Sequence, residues 1–159
     1  MPSKSSSGGR RHGPIRFANY QRIHNRRMQD FIQEGLVVSH TVRFGQPTSG
    51  YITLEGEINC LGGIMVEVKK KLQILSGQGP NAMVKTCEYS YNAYAIGRGN
   101  LFRYNSPHGY HRPYHHVHRY DILGTWDEIG DPEELRENEV PTLSEVLDEV
   151  RELYYGHEF

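Results

Sequence analysis

Between Leu101 and Ile122 the chain reads LFRYNSPHGYHRPYHHVHRYDI, built from residue types that move protons and hold phosphate. Five of the nine histidines lie here: His108, His111, His115, His116 and His118. Arg103, Arg112, Arg119 and five Tyr or Phe are interleaved with them. Imidazole exchanges protons near neutral pH and is the commonest metal ligand. Guanidinium grips phosphate with a rigid fork of donors, and aromatic rings stack on bases. The combination points to chemistry on, or recognition of, a phosphate-bearing substrate, with nucleic acid the leading case.

Three chemistries fit these residues. Metal-free cleavage of RNA by its own 2′-hydroxyl needs a base, an acid and a cation at the phosphorane. Glu67 or a histidine could be the base, His116 or His118 the acid, and Arg103 or Arg119 the phosphate grip. If residues 114–122 form a strand, His116 and His118 share a face. Tyr89 and Tyr91, also two apart, would stack on the substrate or position it. The competing reading of each histidine is structural, bonded to backbone. A metal site is the second chemistry, since clustered histidines bind zinc or transition metals. The HHVH spacing matches neither a zinc finger nor HExxH. Glu67-Val68-Lys69, with Glu55 or Glu57 as partner carboxylate, matches the end of a magnesium-nuclease pattern. Alternating charge on a solvated strand produces the same triplet. The third is binding without catalysis, because basic residues among aromatics also make a passive RNA surface.

The elements that must position these residues are read from periodicity. Tyr20, Ile23, Met28, Phe31 and Ile32 have near-helical spacing over 17–34, and Gly35 is a stop. Strand-like runs follow at 36–44, 50–58, 63–75, 83–97, 100–105 and 114–122, with turn residues between them. Short connections favour antiparallel neighbours, so a meander of five to six strands is expected. In 63–75, Ile64, Val66, Val68, Leu72 and Ile74 point one way, and Met65, Glu67, Lys69 and Lys71 the other. Ile52, Leu54 and Ile58 mark the core face of the preceding run, with Glu55 and Glu57 opposite. A hairpin would therefore gather Glu55, Glu57, Glu67, Lys69 and Lys71 on one open surface. Thr142 and Glu145 form a capping box before the stripe Leu143, Val146, Leu147, Val150 and Leu153, which ends at Gly156. The fold class is α+β: a curved antiparallel sheet with an N-terminal and a C-terminal helix packed on it.

A length of 159 residues predicts one domain. It divides into a disordered basic arm over 1–16, a helical extension over 17–35 and the α+β domain over 36–156. The formal net charge of -1 hides an asymmetry. Residues 1–27 carry seven Lys or Arg and no acid, whereas residues 127–159 carry twelve Asp or Glu against two Arg. A basic arm of this kind meets nucleic acid without choosing sequence. Cys60 and Cys87 have no ligand spacing and read as small residues of a reducing compartment. No run approaches the roughly 18 apolar residues needed to span a bilayer, and MPSKSSSGGRRHGP has no secretory apolar region. The expectation is a cytoplasmic protein without membrane contact.

From Gly50 to about Leu153, GYITLEGEI, VEVKKK, EYSY, NLFRYNSPH, PYHHVHRY and PTLSEVLDEV follow in order. This series resembles the TumE-type toxin family of bacterial toxin–antitoxin modules. The resemblance implies a small cytoplasmic toxin that cleaves RNA or otherwise blocks translation and is neutralised by a helix-turn-helix antitoxin. By motif position it points to Glu67, Tyr89, Tyr91, Arg103, His108, His115, His116 and His118. Two departures bear on chemistry: Asn105 stands where an aspartate is usual, and Asn92 where a histidine is common. Residue chemistry and resemblance together nominate Glu67, Arg103, His116 and His118 as catalytic. Tyr89, Tyr91, His108, His115, Arg119 and Lys69 are nominated to hold RNA. The expected reaction uses no metal and no cofactor, and self-association is compatible with it. A non-catalytic nucleic-acid-binding component of a defence or stress assembly is the runner-up.

Overall fold

The computed structural model describes residues 12–107 and 113–157. Its strands are β1 (Ile15–Arg16), β2 (Val37–His40), β3 (Arg43–Phe44), β4 (Tyr51–Cys60), β5 (Ile64–Ser76), β6 (Met83–Ala95), β7 (Gly99–Asn105), β8 (His115–Arg119) and β9 (Glu133–Leu135). Its helices are α1 (Phe17–Gln33) and α2 (Leu143–Gly156). All nine strands form one antiparallel sheet ordered β2-β4-β5-β6-β7-β8-β9, with β1 on β6 and β3 on β4. The fold is α+β with a curved sheet, and β4 to β9 make the expected meander.

Alternation along the strands decides which face is core. Ile52, Leu54 and Ile58 of β4 lie opposite Leu72, Lys70 and Val66 of β5. Apart from Lys70, these are apolar residues that alternate with polar ones, so one sheet face is driven under cover. α1 contributes Met28 and Phe31 to that core, and α2 contributes Leu143, Val146, Leu147 and Val150. Each such aliphatic or aromatic side chain stabilises the fold by roughly 1.5–3 kcal/mol on burial. α2 starts where the sequence pattern requires it: Thr142 Oγ1 accepts from the Glu145 amide at 3.3 Å, and Glu145 Oε1 accepts from the Thr142 amide at 3.1 Å.

The structure departs from the sequence reading in three places. The 36–44 run is two strands: the register slips between Val37 and Ser39 of β2, and regular pairing lapses at Thr41–Val42, where the backbone packs closely against Gly56 of β4. A Cβ on Gly56 would lie 2.6 Å from Thr41 and Val42 backbone atoms. The last strand arrives from an acidic segment, Glu133–Leu135, too short and too polar to show alternation. The arm expected to be disordered as far as residue 16 is structured earlier. Ile15 and Arg16 pair with Val84 and Met83, and His12 Nε2 lies 2.9 Å from the Val140 carbonyl. The rest of that arm, residues 1–11, lies outside the described residues.

Candidate functional site on the open face of the sheet

The face not covered by helices gathers the residues nominated as catalytic. Cross-strand register lines up Glu57, Glu67, Asn92, Arg103 and His118 in one row from β4 to β8. The next row is Glu55, Lys69, Ser90, Asn105, His116 and Glu134. All four residues nominated as catalytic stand in these rows, as does Lys69. Glu55, Glu57, Glu67, Lys69 and Lys71 share the surface that the hairpin argument requires. Arg103 and His118 are direct cross-strand partners, so their Cβ atoms are about 4.5–5.5 Å apart. Glu67 stands three strand spacings from His118, roughly 14 Å, and its carboxylate is paired with Lys69 at 3.5 Å.

Arg103 and His118 are each anchored by a neighbour. The Arg103 Nε donates to Asn105 Oδ1 at 3.3 Å, which leaves the terminal nitrogens of the fork pointing outward from the anchor. Because Arg103 can only donate, the Asn105 oxygen faces it and the amide NH2 faces His116. Asn105 Nδ2 lies 3.5 Å from His116 Nε2. That nitrogen is therefore the acceptor, and His116 Nδ1 donates to the Tyr114 carbonyl at 2.9 Å. His116 is 3% exposed and has both ring nitrogens engaged, a positioning arrangement. His118 packs edge-on against His116, with ring centroids 4.9 Å apart. Its Nδ1 is bonded to the Glu128 carboxylate at 2.5 Å, which directs Nε2 away from the carboxylate and sets its tautomer as an acceptor. Glu128 reaches β8 through a turn organised by Asp121, whose carbonyl and carboxylate accept from the Trp126 and Thr125 amides. The Tyr120–Glu128 bridge then brings the carboxylate alongside.

A shallow groove of about 720 Å³ runs beside this cluster, lined by Glu55, Lys69, Lys71, Glu88, Asn105 and Ser106 among others.

The pleat sends the other nominated residues to the helix-covered face. Tyr89 and Tyr91 are buried and stack on each other, with centroids 5.4 Å apart and planes at 22°. The Tyr89 hydroxyl bonds His115 Nδ1 at 2.9 Å, and His115 Nε2 lies 3.0 Å from Glu137. Burial, then Tyr91, Glu137 and Tyr104, push the Tyr89 phenol well above its usual range, so it stays protonated. Arg119 is held by Glu149 at 3.6 Å and by the Tyr104 hydroxyl at 3.4 Å. Tyr89, Tyr91, His115 and Arg119 therefore do not meet Arg103 and His118 on one surface. His108, with His111 and Arg112, lies outside the described residues.

The same alternation separates His115 from His116 and His118, so the three histidines of HHVH do not converge on one point. Among the described residues no three His, Cys, Asp or Glu side chains gather as a metal cluster. No described helix is long and apolar enough to cross a membrane.

Sequence reasoning missed Glu128 and Glu137, which stand 10 and 22 residues beyond their histidines, Glu128 after β8 and Glu137 at the start of a short 3-10 helix. It also missed Lys70, although the parity of VEVKKKL puts Lys70 with Val68 and Leu72 on the core face. No family model matches the chain, and neither a curated protein nor a solved structure matches it.

Proposed function

We propose that this protein is a metal-independent endoribonuclease whose reaction takes place on the open face at His118 and Arg103. It would serve as the toxin of a toxin–antitoxin pair, acting on RNA in the cytoplasm and neutralised by a helix-turn-helix partner. The observation that carries the reading is the pairing of Arg103 with His118, each anchored from one side by Asn105 and by Glu128. The order of TumE-like motifs supports the toxin role.

In this reading the terminal nitrogens of Arg103 bind the scissile phosphate as a fork. His118 Nε2 takes the 2′-hydroxyl proton as the oxygen attacks phosphorus. The resulting imidazolium, stabilised by Glu128, then protonates the departing 5′-oxygen. The 5′-oxygen–phosphorus bond breaks, leaving a 2′,3′-cyclic phosphate on one fragment and a 5′-hydroxyl on the other. Lys69 draws the backbone into the groove. Asn105 and His116 hold Arg103 in place.

The test is incubation of purified full-length protein with RNA in excess EDTA, followed by end-group analysis. Cleavage with cyclic or 3′-phosphate ends is expected. Strict dependence on magnesium with 5′-phosphate ends would contradict the mechanism and move the chemistry to Glu67 and Lys69.

A further inference from the structure

A second cavity, of about 280 Å³, lies on the helix-covered face between α1, the start of α2 and the sheet. Tyr20, Met28, Phe31, Leu143 and Leu147 supply apolar wall, and Lys70 of β5 reaches into the same space. Its mouth passes Ile23 and Arg27, both exposed. None of the described lining residues is Asp or Glu, whereas Lys70, Arg27, His12 and His24 all belong to the wall.

Lys70 is the unusual member. It is 8% exposed and stands where alternation demands an apolar residue, between Val68 and Leu72. Its ammonium lies 5.0 Å from the centre of the Tyr20 ring and is hydrogen-bonded to the Tyr20 and Tyr91 side chains, and among the described residues no carboxylate forms a salt bridge with it. The neighbouring Tyr91 hydroxyl is buried with its hydrogen bonding incomplete. Burial pushes Lys70 towards the neutral amine, but Tyr91 and Tyr20 outweigh it and hold the group charged. His24 is pushed down to about 4 by burial, then by Lys70 and His40, so it offers this space a polar edge without charge. A buried cation without an anion is costly, and an anion placed beside it relieves that cost.

We propose that this cavity binds a small organic carboxylate, its anionic end on Lys70 and its apolar body between Tyr20, Phe31 and Leu147. One buried cation matches a monoanion and not a phosphate dianion. The aromatic and aliphatic walls require a hydrocarbon body, and the volume lies at the small end of ligand pockets, which run from about 300 Å³ upward. Neither His118 nor Arg103 lines this cavity, so the proposal stands or falls independently of RNA cleavage at those residues.

Thermal-shift and calorimetric titrations of the full-length protein with hexanoate and phenylacetate, against hexanamide and phenylacetamide, test it. A ligand that binds only the folded state raises Tm saturably. The acids should do so, and the matched amides should bind roughly tenfold or more weakly, having lost the charged hydrogen bond. Lys70→Met fills the same space without charge and should abolish the preference for acid over amide. A purely structural Lys70 would change the basal Tm and leave that preference intact. In the wild-type protein, phenylacetate should shift the Lys70 ε-carbon NMR signal, a readout that needs no variant to fold. Equal binding of acid and amide, a preference that survives Lys70→Met, no binding by either acid, or an unmoved Lys70 signal would each overturn the proposal.

Discussion

Replacing Asn105 with aspartate should convert His116 from a neutral positioning residue into a buried imidazolium. In the wild type, Arg103 Nε at 3.3 Å takes the Asn105 oxygen, so the amide nitrogen faces His116 Nε2 at 3.5 Å. His116 then carries its proton on Nδ1 and gives it to Tyr114 at 2.9 Å. A carboxylate at 105 still accepts from Arg103 but can no longer donate to His116. Nε2 must acquire a proton while Nδ1 keeps its own. An opposite charge at this separation favours the charged form by about one to three pKa units, or ~1.4–4 kcal/mol of coupling. With the folded-state pKa raised above the unfolded value near 6.5, the stabilisation is complete below that pH. It is lost as pH climbs through the folded value. Asn105→Asp should therefore lose stability relative to wild type between neutral and mildly alkaline pH. Long-range proton–nitrogen NMR reads the tautomer directly: Nδ1–H in the wild type and doubly protonated in the variant at pH 7. A wild-type ring protonated on Nε2, or an Asn105→Asp titration superimposable on wild type, would refute this account of the network.

Three further outcomes follow from the packing. His24, held down at about 4 by burial, Lys70 and His40, binds fewer protons folded than unfolded between pH 4 and 6.5. Stability should rise with pH across that window by roughly 3 kcal/mol at most, and chemical denaturation of His24→Gln should show the slope flattened. Gly56→Ala would drive a Cβ to 2.6 Å from the Thr41–Val42 backbone at a φ of +152°, costing more than about 2 kcal/mol in urea unfolding. Thr142→Ala removes the α2 cap and should cost ~1 kcal/mol, or roughly 2–4 °C in Tm by calorimetry.

Much of the frame is legible in the amino-acid sequence. Period two in GYITLEGEI and VEVKKKL separates the Glu and Lys residues from Ile52, Leu54, Val66 and Val68. The capping box and apolar stripe define α2. The same rule puts His116 and His118 together and His115 on the other side. What could not be read comes from contacts that local pattern does not encode. Glu128 meets His118 because a turn around Asp121 folds back, and nothing in TWDEIG states where that turn will land. Tyr89 and Tyr91 look like a stacking platform, but they fall on the helix-covered face, where α2 and its neighbours bury them. Lys70 hides within a run of three lysines whose outer members are surface residues. Asn105 reads as a lost acid, yet its two-ended amide is what joins Arg103 to His116.

The central claim is that RNA cleavage belongs to the open face and not to the histidine chain beneath it. The most direct measurement compares cleavage rates of His118→Ala and His115→Ala proteins, both verified as folded by circular dichroism. Loss of the proton-transfer group should lower the His118→Ala rate by about 10² to 10⁴. His115→Ala, which removes a ring tied to Tyr89 and Glu137, should stay within a few-fold of wild type, on the order of a factor of five or less. Full activity in His118→Ala with loss in His115→Ala would place the reaction on the opposite side of the sheet and contradict the account.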